Sequence, residues 1–64
     1  MPLNSLLIRE RRQSLGLTQS DVAASLGLHV NAYARLERGD RATTVRRLEA
    51  LAAILKLPPA KLLK

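Results

Sequence analysis

Residues 18–39 read T-Q-S-D-V-A-A-S-L-G-L-H-V-N-A-Y-A-R-L-E-R-G, from Thr18 to Gly39, and their punctuation decides the fold. Thr18 is placed to cap a helix, and Asp21 three residues later supplies the returning arm of a capping box. Gly27 admits the positive backbone angle of a sharp turn and ends that helix. A second helix then runs from about Val30 to Arg38, with His29 as a weak cap and Gly39 as its stop. At about 100° per residue, Val30, Asn31, Ala34, Arg35 and Arg38 share one arc, and Ala32, Tyr33, Leu36 and Glu37 share the other. The segment therefore buries Tyr33 and Leu36 and offers a polar face with the small Ala34 at its middle. Two helices hinged at a glycine, the second presenting such a face, have the form in which a helix is offered to the DNA major groove.

Working outward, a helix before this stretch starts after an Asn4 cap and runs to about Gln13 or Ser14, with Leu7, Ile8 and Leu15 inward and Gly16 as its stop. Beyond it, a helix starts after Thr44, and Val45, Leu48, Leu51, Ala52 and Leu55 form its i, i+3, i+4 stripe, with Arg46 and Arg47 on the exposed side. Pro58 and Pro59 stop that helix and start a last short one, since proline is tolerated only in a first turn. No segment alternates like a strand, so the fold class is all-α, a compact five-helix domain over residues 1–64 with no linker, repeat or low-complexity segment. Four pairs, Leu3 with Ile8, Leu17 with Val22, Leu28 with Tyr33 and Leu57 with Leu62, have the spacing of hydrophobic staples that set how the chain turns into each helix.

Composition narrows the function. A chain of 64 residues buries only about 60% of its unfolded surface, so its stability margin is thin. It has no cysteine, one histidine and five acids, which argues against disulfides, a metal site, a cofactor or a catalytic cluster. With no nucleophile and base pair and no phosphate loop, an enzyme is the least expected reading. No apolar run approaches a membrane span and the N-terminus is unlike a secretory signal, so the expected location is cytoplasmic. A net charge of +6 implies a polyanionic partner. Five arginines between residues 35 and 47, against Glu37 and Asp40, make the central basic groups all guanidinium, the head group suited to bidentate phosphate and guanine contacts.

Residues 15–39, L-G-L-T-Q-S-D-V-A-A-S-L-G-L-H-V-N-A-Y-A-R-L-E-R-G, followed by T-V-R-R-L-E-A-L-A-A-I-L-K-L over 44–57, resemble the lambda-type phage repressor, Cro and XRE-like helix-turn-helix family. Matching positions include Arg12, Gly16, Gln19, Ala23, Gly27, Leu36, Glu37, Gly39, Leu51 and Ala52. The resemblance implies a lambda-repressor-like fold and a sequence-specific regulator of transcription, most simply a Cro-like repressor on a palindromic operator. A restriction-modification controller or an antitoxin that also binds a protein partner is the alternative. It implies that Val30, Asn31 and Arg35 reach base edges, and their chemistry suits a thymine methyl, adenine and guanine respectively. Gln19, Arg38 and Arg41 match backbone-contacting positions, and His29 is a cap substitute or phosphate neighbour. Arg12 and Glu37 match a partly buried salt bridge, and pairing of two copies is expected through Leu57, Ala60, Leu62 and Leu63. Four residues depart from the family pattern: Tyr33 stands where Ile or Val is usual, Arg11 where the residue is commonly apolar, Thr43 where proline is frequent, and His29 where Ser or Thr is the usual cap.

Overall fold

Polar caps start the helices where the sequence places them. The computed structural model describes residues 3–40 and 42–64, and among these lie α1 (Ser5–Ser14), α2 (Gln19–Leu26), α3 (Val30–Arg38) and α4 (Val45–Leu55). The Asn4 side chain accepts from the Leu7 amide at 3.3 Å, and Thr44 Oγ1 accepts from the Arg47 amide at 3.1 Å. At α2 the capping box is complete: Thr18 Oγ1 accepts from the Asp21 amide at 3.0 Å, and Asp21 Oδ2 accepts from the Thr18 amide at 2.9 Å. The bond from the Thr18 amide, helped by the Thr18 side chain, holds the Asp21 carboxyl below its usual pKa. His29 caps α3 through Nδ1, which accepts from the Asn31 amide at 3.1 Å.

The helices also stop alike. In each, one amide past the end bonds back to the carbonyl five residues earlier: Leu17 to Arg12, Leu28 to Ala23, Asp40 to Arg35 and Leu57 to Ala52, at 2.8–3.1 Å. The preceding residue adopts a left-handed conformation and makes the shorter bond, which together form a Schellman motif. At the hinge that residue is Gly27, with φ +70°, an angle a Cβ would resist. Leu17 and Leu28 each end one helix and staple the next, and both pack against the core. The tetrapeptide S-L-G-L, at 14–17 and again at 25–28, is the sequence form of this shared joint.

Three expectations are corrected. The fifth helix is a single 3₁₀ turn, Pro59–Leu62. The Leu62 carbonyl accepts from the Asn4 amide at 2.8 Å and Leu63 forms an isolated antiparallel bridge with Leu3, which draws the backbone at Leu63 out straight and ends the turn. Helix α4 stops before the prolines, at Lys56, which takes φ +58° without being glycine. Val45, the first residue of α4 after its Thr44 cap, lies outside the stripe at 62% exposure, whereas Leu48, Leu51, Ala52 and Leu55 are buried.

Helix α2 packs on α3 and α4, while α1 packs on α3, α4 and the 3₁₀ turn. One cluster of Leu3, Ile8, Val22, Ala23, Tyr33, Leu36, Leu48, Leu51, Ala52, Leu55 and Leu62 fills the centre. Every predicted staple has its inner residue there, which is why the turns and the core specify one another. The unusual Arg11 also finds a use: its Nε donates to the Leu55 carbonyl at 2.9 Å. That satisfies one of the last carbonyls of α4 and sets a cation against the negative end of the helix.

Candidate nucleic-acid interface

Helix α3 divides as its periodicity demands. Tyr33, Leu36 and Glu37 are buried at 0%, 1% and 3% exposure, while Asn31, Arg35 and Arg38 are exposed. Ala34 is half-buried, as is Val30, whose side chain packs partly against the core, so only part of it remains at the surface. The outward face is thus a row of one amide and two guanidinium groups with no large apolar residue between them.

Glu37 is the one acid taken into the interior, and its partners converge from two other segments. Arg12 Nε donates to Glu37 Oε2 at 2.8 Å and Arg12 Nη2 to Oε1 at 3.1 Å, the bidentate pairing that guanidinium geometry favours. Arg12 Nη1 donates to the Leu17 carbonyl at 2.9 Å, so the same side chain ties α1, the α1–α2 turn and α3 together. Gln19 Nε2 donates to Glu37 Oε1 at 3.3 Å. Burial opposes ionisation of Glu37, but the bonds from Arg12, helped by Gln19, outweigh it and hold the carboxyl below its ordinary pKa. The bond to Glu37 keeps the Arg12 guanidinium charged against a smaller cost of burial. The network carries a functional consequence: Gln19, in the first turn of α2, is oriented by a residue of α3, so the two helices of the hinge are locked at their exposed edge.

Burial, then the neighbouring Glu37 carboxylate, push the pKa of the Tyr33 hydroxyl well above the normal phenol range, yet among the described residues it has no hydrogen-bond partner of acceptable geometry. An orphaned buried hydroxyl costs about 1–3 kcal/mol. Tyr33→Phe is therefore expected to stabilise the fold by about 1 kcal/mol, a rise of several degrees in thermal midpoint for a domain of this size. A fall in midpoint on calorimetry would mean that the hydroxyl is satisfied in solution.

An open groove of about 490 Å³ is lined by Ser5, Arg9, Gln19, Glu37, Arg38 and Asp40. It brings the start of α1, the start of α2 and the end of α3 to one place, with two exposed arginines on its walls. Arg41 lies outside the described residues. His29 is exposed, and with Nδ1 engaged in the cap its Nε2 edge is the one left for an outside partner. Leu62 is fully buried in this chain's own core and so leaves the expected pairing surface, because the 3₁₀ turn points it into the core cluster. Leu57 and Leu63 are half-buried and Ala60 is exposed.

The family described as Helix-turn-helix matches residues 8–62, which spans α2, the glycine hinge and α3 together with most of the helices around them. The chain belongs to the Cro/C1-type helix-turn-helix family. A comparison with curated proteins returned no match. Membership carries sequence-specific DNA binding and transcription regulation. No helix of this helix-turn-helix domain is long and apolar enough, among the described residues, to cross a membrane.

Three groups at this helix-turn-helix surface escape sequence reasoning. The Gln19–Glu37 bond spans 18 residues and depends on the crossing angle of α2 and α3. Ser5 and Arg9 reach the groove only because α1 packs across the end of α3. The spacing of Ser5 and Arg9 at i, i+4 is a signal that they share a helix face, but nothing in the chain says that the face adjoins Gln19.

Proposed function

We propose that this helix-turn-helix protein is a small Cro-like repressor that occupies a palindromic operator as a homodimer. What supports the reading is the exposed row of Asn31, Arg35 and Arg38 on a helix whose other face is locked into the core. In this reading Arg35 takes guanine, Asn31 adenine and the exposed part of Val30 a thymine methyl, while Gln19, His29, Arg38 and Arg41 hold the sugar-phosphate backbone. A reading helix of nine residues touches few base pairs, so useful specificity needs a second copy on a second half-site. The pairing surface in this reading is Leu57, Ala60 and Leu63 around the 3₁₀ turn, without Leu62.

Selection of bound fragments from random duplex DNA tests the whole proposal at once. The expected result is an enriched palindrome whose half-sites are about one DNA turn, ~10 base pairs, apart. Enrichment of a single unpaired half-site would remove the dimer, and no enrichment would remove the operator.

A further inference from the structure

The Schellman turns that end α1, α2 and α4 place a leucine at the position whose amide closes the motif: Leu17, Leu28 and Leu57, each packed against the core. An apolar contact at this position is part of how the motif is stabilised. At the end of α3 the same position is Asp40, which is exposed. Its amide closes the turn on the Arg35 carbonyl at 2.9 Å, so the backbone geometry is the common one and only the side chain differs. Asp40 therefore does not serve the core as its three counterparts do.

Its carboxylate instead accepts from Arg38 Nε at 3.2 Å, with the two side chains 59% and 64% exposed. Two backbone hydrogen bonds fix the chain between Arg38 and Asp40, so the pairing needs little further ordering of the backbone. An ion pair so open to water is too weak to be a structural device. It is also weak enough to be displaced by a phosphate. The pair stands on the groove that Ser5, Arg9 and Gln19 share, where Glu37 is already engaged by Arg12 and Gln19.

We infer that Asp40 is a built-in competitor for Arg38, an internal anion that holds the guanidinium in the free protein and must give way to a DNA phosphate. The inference rests on the DNA-binding reading above and adds a residue that lowers affinity. Because it acts on a backbone contact, it weakens binding to all sequences about equally and shortens the stay on non-cognate DNA.

The test compares the parent, Asp40→Asn, Arg38→Ala and the double variant on random-sequence duplex over a salt series. Asp40→Asn should bind about two- to fivefold more tightly at moderate salt. In the Arg38→Ala background the same change should give less than about a 1.5-fold gain, since the guanidinium that Asp40 holds is gone. No gain in Asp40→Asn overturns the inference, and an equal gain with and without Arg38 reduces Asp40 to general charge repulsion and overturns it too. Elution of the four proteins from a heparin column separates this from the DNA reading, because a sulfated polyanion needs a free guanidinium but no base pairs. Later elution of Asp40→Asn that disappears in the Arg38→Ala background, without duplex binding by any of the four, would sink the DNA reading and keep the competitor. Unchanged elution together with unchanged duplex binding would sink the competitor alone.

Discussion

Arg12→Ala is expected to leave most of the protein unfolded at room temperature. The substitution strands Glu37, at 3% exposure, without its bidentate partner, and it also frees the Leu17 carbonyl that Arg12 Nη1 had satisfied. Removing one member of a buried ion pair costs about 3–5 kcal/mol, most of it the cost of leaving the other charge unpaired. A core in a domain of this size rarely supplies more than about 3–5 kcal/mol of net stability, so the loss is comparable to the whole margin. Loss of helical circular dichroism is the measurement. A thermal midpoint within a few degrees of the parent would show that Glu37 rehydrates cheaply. Replacing both residues by leucine should recover much of the stability, since a buried pair exchanged for apolar packing is often neutral. That double variant still lacks the Glu37 oxygen that orients Gln19, so its DNA binding should stay impaired.

The same pair sets the response to acid. The folded state holds the Glu37 carboxyl below its ordinary value of 4.5, so its stabilisation is complete above about that pH and is lost as pH falls through the lower folded value. Between pH 5 and pH 3 the parent should lose stability faster than Glu37→Gln, whose side chain does not titrate.

Arg35→Ala is expected to relax preference at one base position by about 1–3 kcal/mol while leaving the fold unchanged. The side chain is exposed and the one Arg35 group in the α3 stop is its backbone carbonyl, which alanine keeps. Alanine is also the better helix former, so the thermal midpoint should not fall. The loss should therefore appear in discrimination: the ratio between the preferred and the other bases collapses, while affinity for random duplex changes little. Equal discrimination by Arg35→Ala and the parent across a randomised operator library would falsify the reading role.

The positions of the four α-helices are legible in the chain because caps and stops are local chemistry. Asn4, Thr18 with Asp21, His29 and Thr44 act on amides two or three residues away, and Gly16, Gly27 and Gly39 act within one turn. The division of α3 into a buried and an exposed face follows equally from periodicity. The last segment starts at the prolines as expected but is held to a single 3₁₀ turn, because its conformation is settled from a distance, by Asn4 and Leu3 pairing with Leu62 and Leu63. Val45 differs for a related reason: a stripe predicts which face is inward, but not whether the first residue of the helix is covered.

The sequence by itself determined where the four α-helices begin, how the first three end, and which face of α3 is buried, while the pairing of Arg12 with Glu37 was implied by the family resemblance. Only the tertiary structure decided that Gln19 is held by Glu37, that Arg11 caps α4, that the Tyr33 hydroxyl has no partner, and that Asp40 faces Arg38 on a groove shared with Arg9. The physical reason is range. Caps, stops and helical faces are set by interactions within about one turn of the chain, whereas a hydrogen bond between side chains on different helices depends on packing angles that the whole core fixes together.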